Sequence, residues 1–366
     1  MARADNDLKG RGRRAFASLR RRSAEAPENA AAGEAEPDPR PEVEADVPAP
    51  GTVPPEPVEE PAADAASDEP DPPGATTAAD FEAPLLDAPD GATRQILEHA
   101  QDDPGPIELP RVLAIANQKG GVGKTTTAVN LGSALAEAGY RVLVVDLDPQ
   151  GNASTGLGVN PRDLASSVYD VIMSDAPLDD CIEATSLKNL FVAPATIDLA
   201  GAEIELVPAM SRELKLRKAI DNVRDEYDLV LIDCPPSLGL LTVNGLAAAD
   251  DVIVPIQCEY YALEGLGQLL RNVGLVRGNL NPTLDVRGIV LTMYDARTKL
   301  ADQVEAEVRT HFGPKVYETV VPRTVRLSEA PSFGQPIIVF DPTSRGAQAY
   351  RDLAKEVSRG ATRRAR

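Results

Sequence analysis

Lys119-Gly-Gly-Val-Gly-Lys-Thr-Thr126 lies between a short apolar run and a helix-length segment. Its glycines allow backbone N–H groups to wrap a phosphate, and the N-terminus of the following helix adds a favourable dipole. Lys124 can place a point charge at the β- and γ-phosphates of a nucleotide, and the Thr125 hydroxyl can ligate Mg²⁺. The flanking pattern disfavours the alternative of a glycine-rich turn that binds nothing. The predicted phosphate-binding residues are Lys119, Gly120, Gly121, Val122, Gly123, Lys124, Thr125 and Thr126.

Short β-branched runs alternate with helix-length segments from about Pro106 onward. The predicted strands are 112–116, 142–146, 190–193, 229–232, 252–256, 288–293 and 337–340. The predicted helices are 125–138, 211–226, 262–277, 300–312 and 344–357. Strands that are apolar throughout are typical of a sheet covered on both faces. The fold class is therefore predicted to be α/β, with a mostly parallel twisted sheet and helices on both faces.

The net charge of −20 is unevenly distributed along the 366 residues. Residues 23–105 hold 22 acidic and 2 basic side chains, whereas residues 1–22 hold 2 acidic and 8 basic ones. Residues 1–105 also hold 16 of the 32 prolines and only two aromatic residues, which predicts a disordered tail with a basic start. We predict a folded domain over 106–358 and a basic end over 359–366. Net charge excludes a generally basic nucleic-acid-binding protein but leaves a local basic face open.

Hydropathy and cysteine content bear on the cellular compartment. The sequence contains no run of about 18 apolar residues, so no membrane span is expected. The arginine-rich start lacks the apolar stretch of a secretory signal. Cys181, Cys234 and Cys258 are odd in number and widely spaced, which favours neither a disulfide framework nor a metal site. A cytoplasmic protein is the expectation.

Carboxylates follow two of the predicted strands. In Asp146-Leu-Asp-Pro-Gln-Gly-Asn152, the residues Asp146 and Asp148 alternate with Leu147, so both can point into the crevice at the carboxyl edge of a parallel sheet. The alternative is an Asp-Pro turn that only ends a strand. Leu229-Val-Leu-Ile-Asp233 is an apolar strand ending in a carboxylate that can hold Mg²⁺. Cys234 follows it, and we interpret this cysteine as a small buried residue rather than a nucleophile or cluster ligand.

The phosphate loop departs from the general P-loop pattern, which has glycine six residues before the lysine. Gln118 occupies that position, and Lys119 follows it. This arrangement resembles the deviant Walker A motif of the ParA/MinD class of P-loop ATPases. Long strings extend the resemblance to Soj-type ParA proteins over most of 110–358. They begin at Pro194 (PATIDLAGAEIEL), Gln257 (QCEYYALEG), Leu291 (LTMYDART) and Val325 (VRLSEAPS).

The resemblance implies a P-loop NTPase that uses ATP and Mg²⁺. In this family the signature lysine, here Lys119, reaches across a sandwich dimer to the partner's nucleotide. Asp148 is implied to orient the attacking water. The implied metal site is formed by Thr125, Asp146 and Asp233. Adenine contacts are implied for Pro322 and Thr324, although Thr324 stands where the family usually has Asn, and a hydroxyl has a shorter reach.

The resemblance also implies partners. Soj-type proteins bind nucleoid DNA non-specifically as ATP-bound homodimers, through arginines that match Arg297 and Arg326. A centromere-bound ParB-type protein stimulates their slow hydrolysis and releases them. The expected function is therefore ATP-dependent chromosome partitioning by a nucleoid-associated ATP hydrolase. Chromosomal cargo is favoured, and plasmid cargo stays open.

The sequence disfavours three other functions. A MinD-like membrane ATPase needs a C-terminal amphipathic helix, and this end has only Leu353 and Val357 as large aliphatic anchors. A DNA-binding adaptor that does not hydrolyse nucleotide is disfavoured by the presence of Asp148 and Asp233. A small-molecule kinase is compatible with the P-loop alone and is disfavoured by the longer strings.

Overall fold

The computed structural model describes residues 108–109, 111–259, 262–359 and 361. The predicted tail over 1–105 and most of the predicted basic end over 359–366 lie outside the described residues. The strands are β1 (Arg111–Ile115), β2 (Val142–Asp146), β3 (Glu183–Ala184), β4 (Leu190–Ala193), β5 (Leu229–Asp233), β6 (Asp251–Gln257), β7 (Asp285–Tyr294) and β8 (Val316–Pro322).

The α-helices are α1 (Lys124–Glu137), α2 (Asn152–Gly156), α3 (Val168–Ser174), α4 (Leu199–Glu205), α5 (Lys215–Asp221), α6 (Leu240–Ala248), α7 (Ala262–Asn279), α8 (Lys299–Phe312), α9 (Val325–Glu329), α10 (Ile337–Phe340) and α11 (Arg345–Ser358). Short 3₁₀ turns occur at Pro161–Asp163, Leu178–Asp180, Arg212–Leu214, Arg224–Glu226, Gly313–Lys315 and Ala330–Phe333. Among these described helices, none is long and apolar enough to cross a membrane.

The eight described strands form one sheet in the order β3-β4-β2-β5-β1-β6-β7-β8. All neighbouring strands pair in parallel except β3, which is antiparallel to β4. This arrangement confirms the predicted α/β fold class with a mostly parallel sheet. Strand β1 pairs with β5 on one side and β6 on the other, so the loop that follows β1 lies at the middle of the sheet's carboxyl edge.

Each face of the sheet has its own apolar core. Leu113 and Ile115 of β1 pack with Leu131 and Leu135 of α1 and with Tyr350 of α11 on one face. Alternate residues of the same strand, together with side chains of α3 to α8, belong to the core on the other face. Because side chains alternate along a strand, the fully apolar strands supply both cores. Helices therefore cover both faces, as predicted.

Two of the predicted elements are wrong. The run 337–340, predicted as a strand, forms helix α10, whose first N–H donates to Asn130 Oδ1 at 2.7 Å. The edge position beyond β7 is instead taken by β8, which was not predicted. A short apolar run does not distinguish a buried strand from a buried helical turn, and Pro336 stands at the N-cap of α10.

The predicted helix 211–226 is interrupted. It contains a 3₁₀ turn, the seven-residue helix α5 and a second 3₁₀ turn. Ser211, at its start, has a left-handed backbone with φ of 51°. The other predicted helices and strands match the structure to within three residues at each end.

Helix α6 packs against the strand that carries Asp233, with Gly245 at the contact. A Cβ at position 245 would lie 2.8 Å from Cys234 Sγ and 3.2 Å from Leu147 Cδ2. We expect Gly245→Ala to lower the free energy of unfolding by about 1–3 kcal/mol, because the side chain has no space in a packed core. Urea unfolding monitored by circular dichroism measures this change.

The matched control is Gly278→Ala in α7, where a Cβ would meet no atom within 4 Å. This change should leave stability unchanged or raise it by about 0.5–1 kcal/mol, since alanine is the better helix former. Equal effects of the two substitutions would contradict the close packing of α6 on β5.

Candidate nucleotide-binding site

The loop between β1 and α1 has the backbone of a phosphate cradle. Gly121 and Gly123 have φ of 76° and 86°, in the left-handed region that glycine adopts without strain. A Cβ at Gly120 or Gly121 would meet nothing within 4 Å, so the loop faces open space there. Helix α1 begins at Lys124 and directs the free N–H groups of its first turn toward that space. This geometry suits an anion.

Lys124 is buried in the loop. Its side chain is 6% exposed, and its Nζ donates to the carbonyl of Lys119 at 3.1 Å. Burial lowers the pKa of Lys124, and the nearby carboxylate of Asp233 opposes that shift. A buried ammonium group whose hydrogen-bond partner is a neutral carbonyl favours an anionic ligand.

Two polar side chains that the sequence analysis did not identify fix the loop. Asn117 Oδ1 accepts from the N–H of Lys119 at 3.0 Å, and Asn117 Nδ2 donates to the carbonyl of Pro255 at 2.7 Å. Thr292 Oγ1 lies 2.8 Å from the carbonyl oxygen of Val122 and 3.0 Å from that of Ile256 in β6. The one sequence signal for these contacts was the polar residue Asn117, which directly follows the predicted strand 112–116. These contacts tie the loop to β6 and β7.

Asp146 and Asp233 lie opposite each other at the ends of β2 and β5. Asp146 is fully buried, and its Oδ2 accepts from the N–H and the hydroxyl of Ser154 at 2.8 and 2.6 Å. Burial raises the pKa of Asp146 to about 6, although these hydrogen bonds and one from the N–H of Asp148 act in the opposite direction. Both oxygens of Asp146 are thus engaged within the chain, and the metal role predicted for it stays a prediction.

The carboxylate of Asp233 has a different environment from that of Asp146. Both of its carboxylate oxygens are buried and lack a hydrogen bond of normal geometry, although the Thr125 side chain is near enough to act on the carboxylate as a donor. Burial raises the pKa of Asp233 well above its usual range, Asp146 adds to the shift, and the side chains of Thr125 and Lys124 oppose it. An unsatisfied buried carboxylate is costly unless a cation or donor meets it.

The donor set around Asp233 fits Mg²⁺. This ion is commonly held by one or two carboxylates together with phosphate oxygens and water. Thr125 and Asp233 can supply a hydroxyl and a carboxylate to it. Within the described part of the chain, no group of three or more His, Cys, Asp or Glu side chains could hold a metal. The remaining ligands would therefore come from water and a bound phosphate.

Asp148 follows Asp146 at the same edge. Its side chain is 8% exposed, and its Oδ1 accepts from the N–H of Gln150 at 3.0 Å. Helix α2, which begins after this turn, carries the Ser154 that binds Asp146. Asp146 and Asp148 both lie close enough to Asp233 for their charges to raise its pKa.

The segment after Asp233 is fixed by a residue from α4. Glu203 accepts from the N–H of Leu240 at 3.0 Å and from that of Leu241 at 3.4 Å, at the start of α6. A carboxylate at a helix N-terminus is stabilising because it satisfies free N–H groups and complements the dipole. A Cβ at Gly239 would meet the Glu203 carboxylate, so a side chain there would displace this contact. Sequence analysis did not identify this contact.

The three cysteines are buried free thiols. Burial raises the pKa of Cys181 and of Cys258 to about 12, and raises that of Cys234 further. A thiol with a raised pKa is a poor nucleophile and metal ligand. Cys234 is buried, as predicted, and its interpretation as neither nucleophile nor cluster ligand stays a prediction.

A cavity of about 370 Å³ adjoins the phosphate loop. It is lined by Gly123 and Thr126 on one side and by Pro322, Arg323 and Thr324 on the other. The structure thus brings both predicted adenine-contact residues to the loop. Thr324 Oγ1 also accepts from the N–H of Leu327 at 3.3 Å, as the N-cap of α9.

Arg297 and Arg326 lie outside this cavity and are exposed. The Arg297 side chain is 87% exposed, and its Nε and Nη2 donate to Asp295 at 2.8 and 2.6 Å. The Arg326 side chain is 58% exposed and donates to Glu329 Oε2 at 3.2 Å. Each arginine therefore already has a carboxylate partner within the chain.

Ser154 is the residue through which the turn after β2 holds the Asp146 carboxylate. We expect Ser154→Ala to destabilise the fold by about 1–3 kcal/mol at pH 8 and by less at pH 5. The raised pKa of Asp146, about 6, means that its carboxylate is charged at pH 8 and largely protonated at pH 5. A hydrogen bond to the charged form is the stronger one. Denaturant unfolding at both pH values measures the difference.

Ser133→Ala is the control, because the buried Ser133 hydroxyl donates to a carbonyl, that of Val129, at 2.6 Å. Its effect should be the same at both pH values. A loss for Ser154→Ala that does not depend on pH would contradict the contribution of the Asp146 charge.

A family model described as "AAA domain" matches residues 110–286. The chain is 61% identical over 250 residues to the sporulation initiation inhibitor protein Soj of Bacillus subtilis (strain 168), covering 68% of this chain and 99% of that protein. It is 57% identical over 249 residues to the chromosome partitioning protein ParA of Caulobacter vibrioides (strain NA1000 / CB15N). This match covers 68% of this chain and 93% of that protein.

Solved structures are also similar. The cobyrinic acid a,c-diamide synthase of Mycobacterium smegmatis, with bound ADP and magnesium, has a TM-score of 0.60 and 43% identity, covering 68% of this chain and 94% of that one. The two curated relatives match at higher identity and over nearly their whole length. The phosphate loop, the paired carboxylates and these identities together show that the chain belongs to the Soj/ParA family of chromosome-partitioning ATPases.

Proposed function

We propose that the chain binds ATP with Mg²⁺ at the loop between β1 and α1 and hydrolyses it to drive DNA segregation. The observation that carries this proposal is the buried Asp233 carboxylate, which lacks a hydrogen bond of normal geometry and lies near the side chains of Lys124 and Thr125. A bound nucleotide–Mg²⁺ complex would satisfy both Asp233 and Lys124. The magnesium and ADP named for one solved relative support this choice of ligand.

The proposed roles follow from the environment of each residue. Lys124 and the N–H groups of the loop hold the phosphates, while Thr125 and Asp233 hold Mg²⁺. The metal, when bound, neutralises charge on the transferred phosphoryl group. Asp148, nearly buried beside this site, orients the attacking water. Phosphoryl transfer needs little more than such positioning and charge neutralisation.

The cellular role is proposed to depend on an ATP-bound homodimer. Lys119 of one subunit reaches the nucleotide of the other, so ATP closes the dimer. The dimer binds nucleoid DNA without sequence preference through Arg297 and Arg326, and a ParB-type protein stimulates hydrolysis and release. Two arginines per subunit make four in a dimer, so dimerisation strengthens DNA binding by avidity. The chromosome-partitioning role named for the ParA relative supports a role in DNA segregation.

The carboxylates beside the arginines affect how DNA binds. The pKa of Asp295 is held well below its usual range, first by its hydrogen bond with Arg297. DNA phosphates must therefore attract an arginine that is already paired, which makes a single contact weak. Several such contacts are needed, in agreement with a requirement for the dimer.

A membrane-binding role like that of MinD is disfavoured by α11. Tyr350, Leu353 and Val357, the large apolar side chains of this helix, are at most 1% exposed and belong to the core beside α1. These side chains are committed to the fold and do not form an apolar face for a bilayer.

Asp148→Ala should retain ATP binding and lower the rate of ATP hydrolysis by roughly a hundredfold or more, because the attacking water loses its positioning group. Single-turnover hydrolysis with saturating ATP, measured alongside ATP affinity, tests this. The exposed Asp180→Ala is the control and should hydrolyse ATP as the wild type does. A normal rate in Asp148→Ala would overturn the assignment of Asp148.

Arg297→Glu should weaken ATP-dependent DNA binding roughly tenfold or more and reduce the salt slope by about 2, since a dimer loses two phosphate contacts. The measurement is DNA affinity with ATP, with ADP and without nucleotide, at two salt concentrations. Arg162→Glu makes the same charge change at an exposed 3₁₀ turn and should have a much smaller effect. Equal binding in all nucleotide states would argue against an ATP-controlled DNA switch.

A further inference from the structure

Lys119 has an ionic partner within its own chain. Its Nζ lies 3.5 Å from Glu259 Oε2, with side chains 35% and 48% exposed. Glu259 is held in turn by Gln257, whose Nε2 donates to Glu259 Oε1 at 2.5 Å. Glu259 follows β6 by two residues, at the carboxyl edge of the sheet.

The backbone of Lys119 is fixed independently of this ion pair. Its N–H donates to Asn117 Oδ1 at 3.0 Å, and Asn117 is 4% exposed and bound to the carbonyl of Pro255. The carbonyl of Lys119 accepts from Lys124 Nζ at 3.1 Å. The side chain of Lys119 can therefore exchange its partner through rotation about its own bonds, without any movement of the loop.

We propose that Glu259 is the resting partner of Lys119 and that ATP-dependent dimerisation requires this ion pair to break. The inference rests on the proposed function, in which Lys119 binds phosphate across the dimer. The ammonium group of a lysine is a point charge that a carboxylate and a phosphate can each attract. Glu259 thus competes with the partner's nucleotide and raises the ATP concentration at which dimers form.

The expected effect follows from the exposure of the pair. Ion pairs between exposed side chains are weak, so loss of Glu259 should favour dimerisation by up to about fivefold per subunit. Both subunits break the same pair, which gives up to about 25-fold in the dimerisation constant if the two sites are independent. An effect of this size tunes the switch without abolishing it.

The test is Glu259→Gln, which removes the charge and keeps the shape of the side chain. Sedimentation velocity of the full chain, titrated with a non-hydrolysable ATP analogue and Mg²⁺, measures the monomer–dimer equilibrium. Glu318→Gln is the matched control, since it makes the same charge change at an exposed position of the edge strand β8. ADP affinity is measured in parallel, because Lys119 does not contact its own subunit's nucleotide in the proposed dimer.

The inference predicts that Glu259→Gln dimerises at several-fold lower analogue concentration, with ADP affinity and the behaviour of Glu318→Gln unchanged from the wild type. An unchanged or higher midpoint in Glu259→Gln overturns it. An equal shift in Glu318→Gln, or an equal gain in ADP affinity, also overturns it, because general charge repulsion would then explain the result.

The same titration separates this inference from the proposed function. If the wild type stays monomeric with the analogue, the dimer mechanism fails, and the role of Glu259 fails with it. If the wild type dimerises and Glu259→Gln has the same midpoint, the role of Glu259 alone is rejected.

Discussion

The parallel register of β1, β2 and β5 is the constraint on which the site depends. Ile115 and Asp146 both lie opposite Asp233, so the loop after β1 and two carboxylates from other strands reach the same edge of the sheet. Residues far apart along the chain thereby form one charged cluster with Lys124. A shift of one residue in either pairing would turn a carboxylate toward the other face of the sheet.

The hydrogen bonds at this edge do not fully offset the free-energy cost of burying its charged groups. Burial raises the pKa of Asp146 and of Asp233 and lowers that of Lys124, so each charged form is disfavoured in the free chain. Strongly shifted groups that face a cradle of glycines are typical of functional sites. A divalent cation would offset the cost of burying the carboxylates, and phosphates would offset the cost of burying the lysine. A ligand that carries both would therefore stabilise the fold on binding.

The cations that are proposed to bind phosphate in the dimer and on DNA share a second feature. Lys119, Arg297 and Arg326, each proposed to meet phosphate, each pair with a carboxylate of the same chain. Binding in the proposed cycle is therefore an exchange of carboxylate for phosphate rather than the capture of phosphate by an unpaired cation. Such exchange keeps individual contacts weak, which suits reversible assembly controlled by a nucleotide.

Local sequence determined the α/β class, the phosphate loop, the strand-terminal carboxylates and the positions of ten of the nineteen helices and strands that the structure describes, because periodicity and short motifs encode nearby backbone geometry. It did not distinguish the helix at 337–340 from a strand, nor reveal β8 as the edge strand, since neighbours distant in the chain decide such positions. Only the tertiary structure showed that Ser154 satisfies Asp146 while Asp233 lacks a hydrogen bond of normal geometry, and that Glu259 pairs with Lys119. Burial and ion pairing depend on which surfaces meet after folding, and no single segment of the chain carries that information.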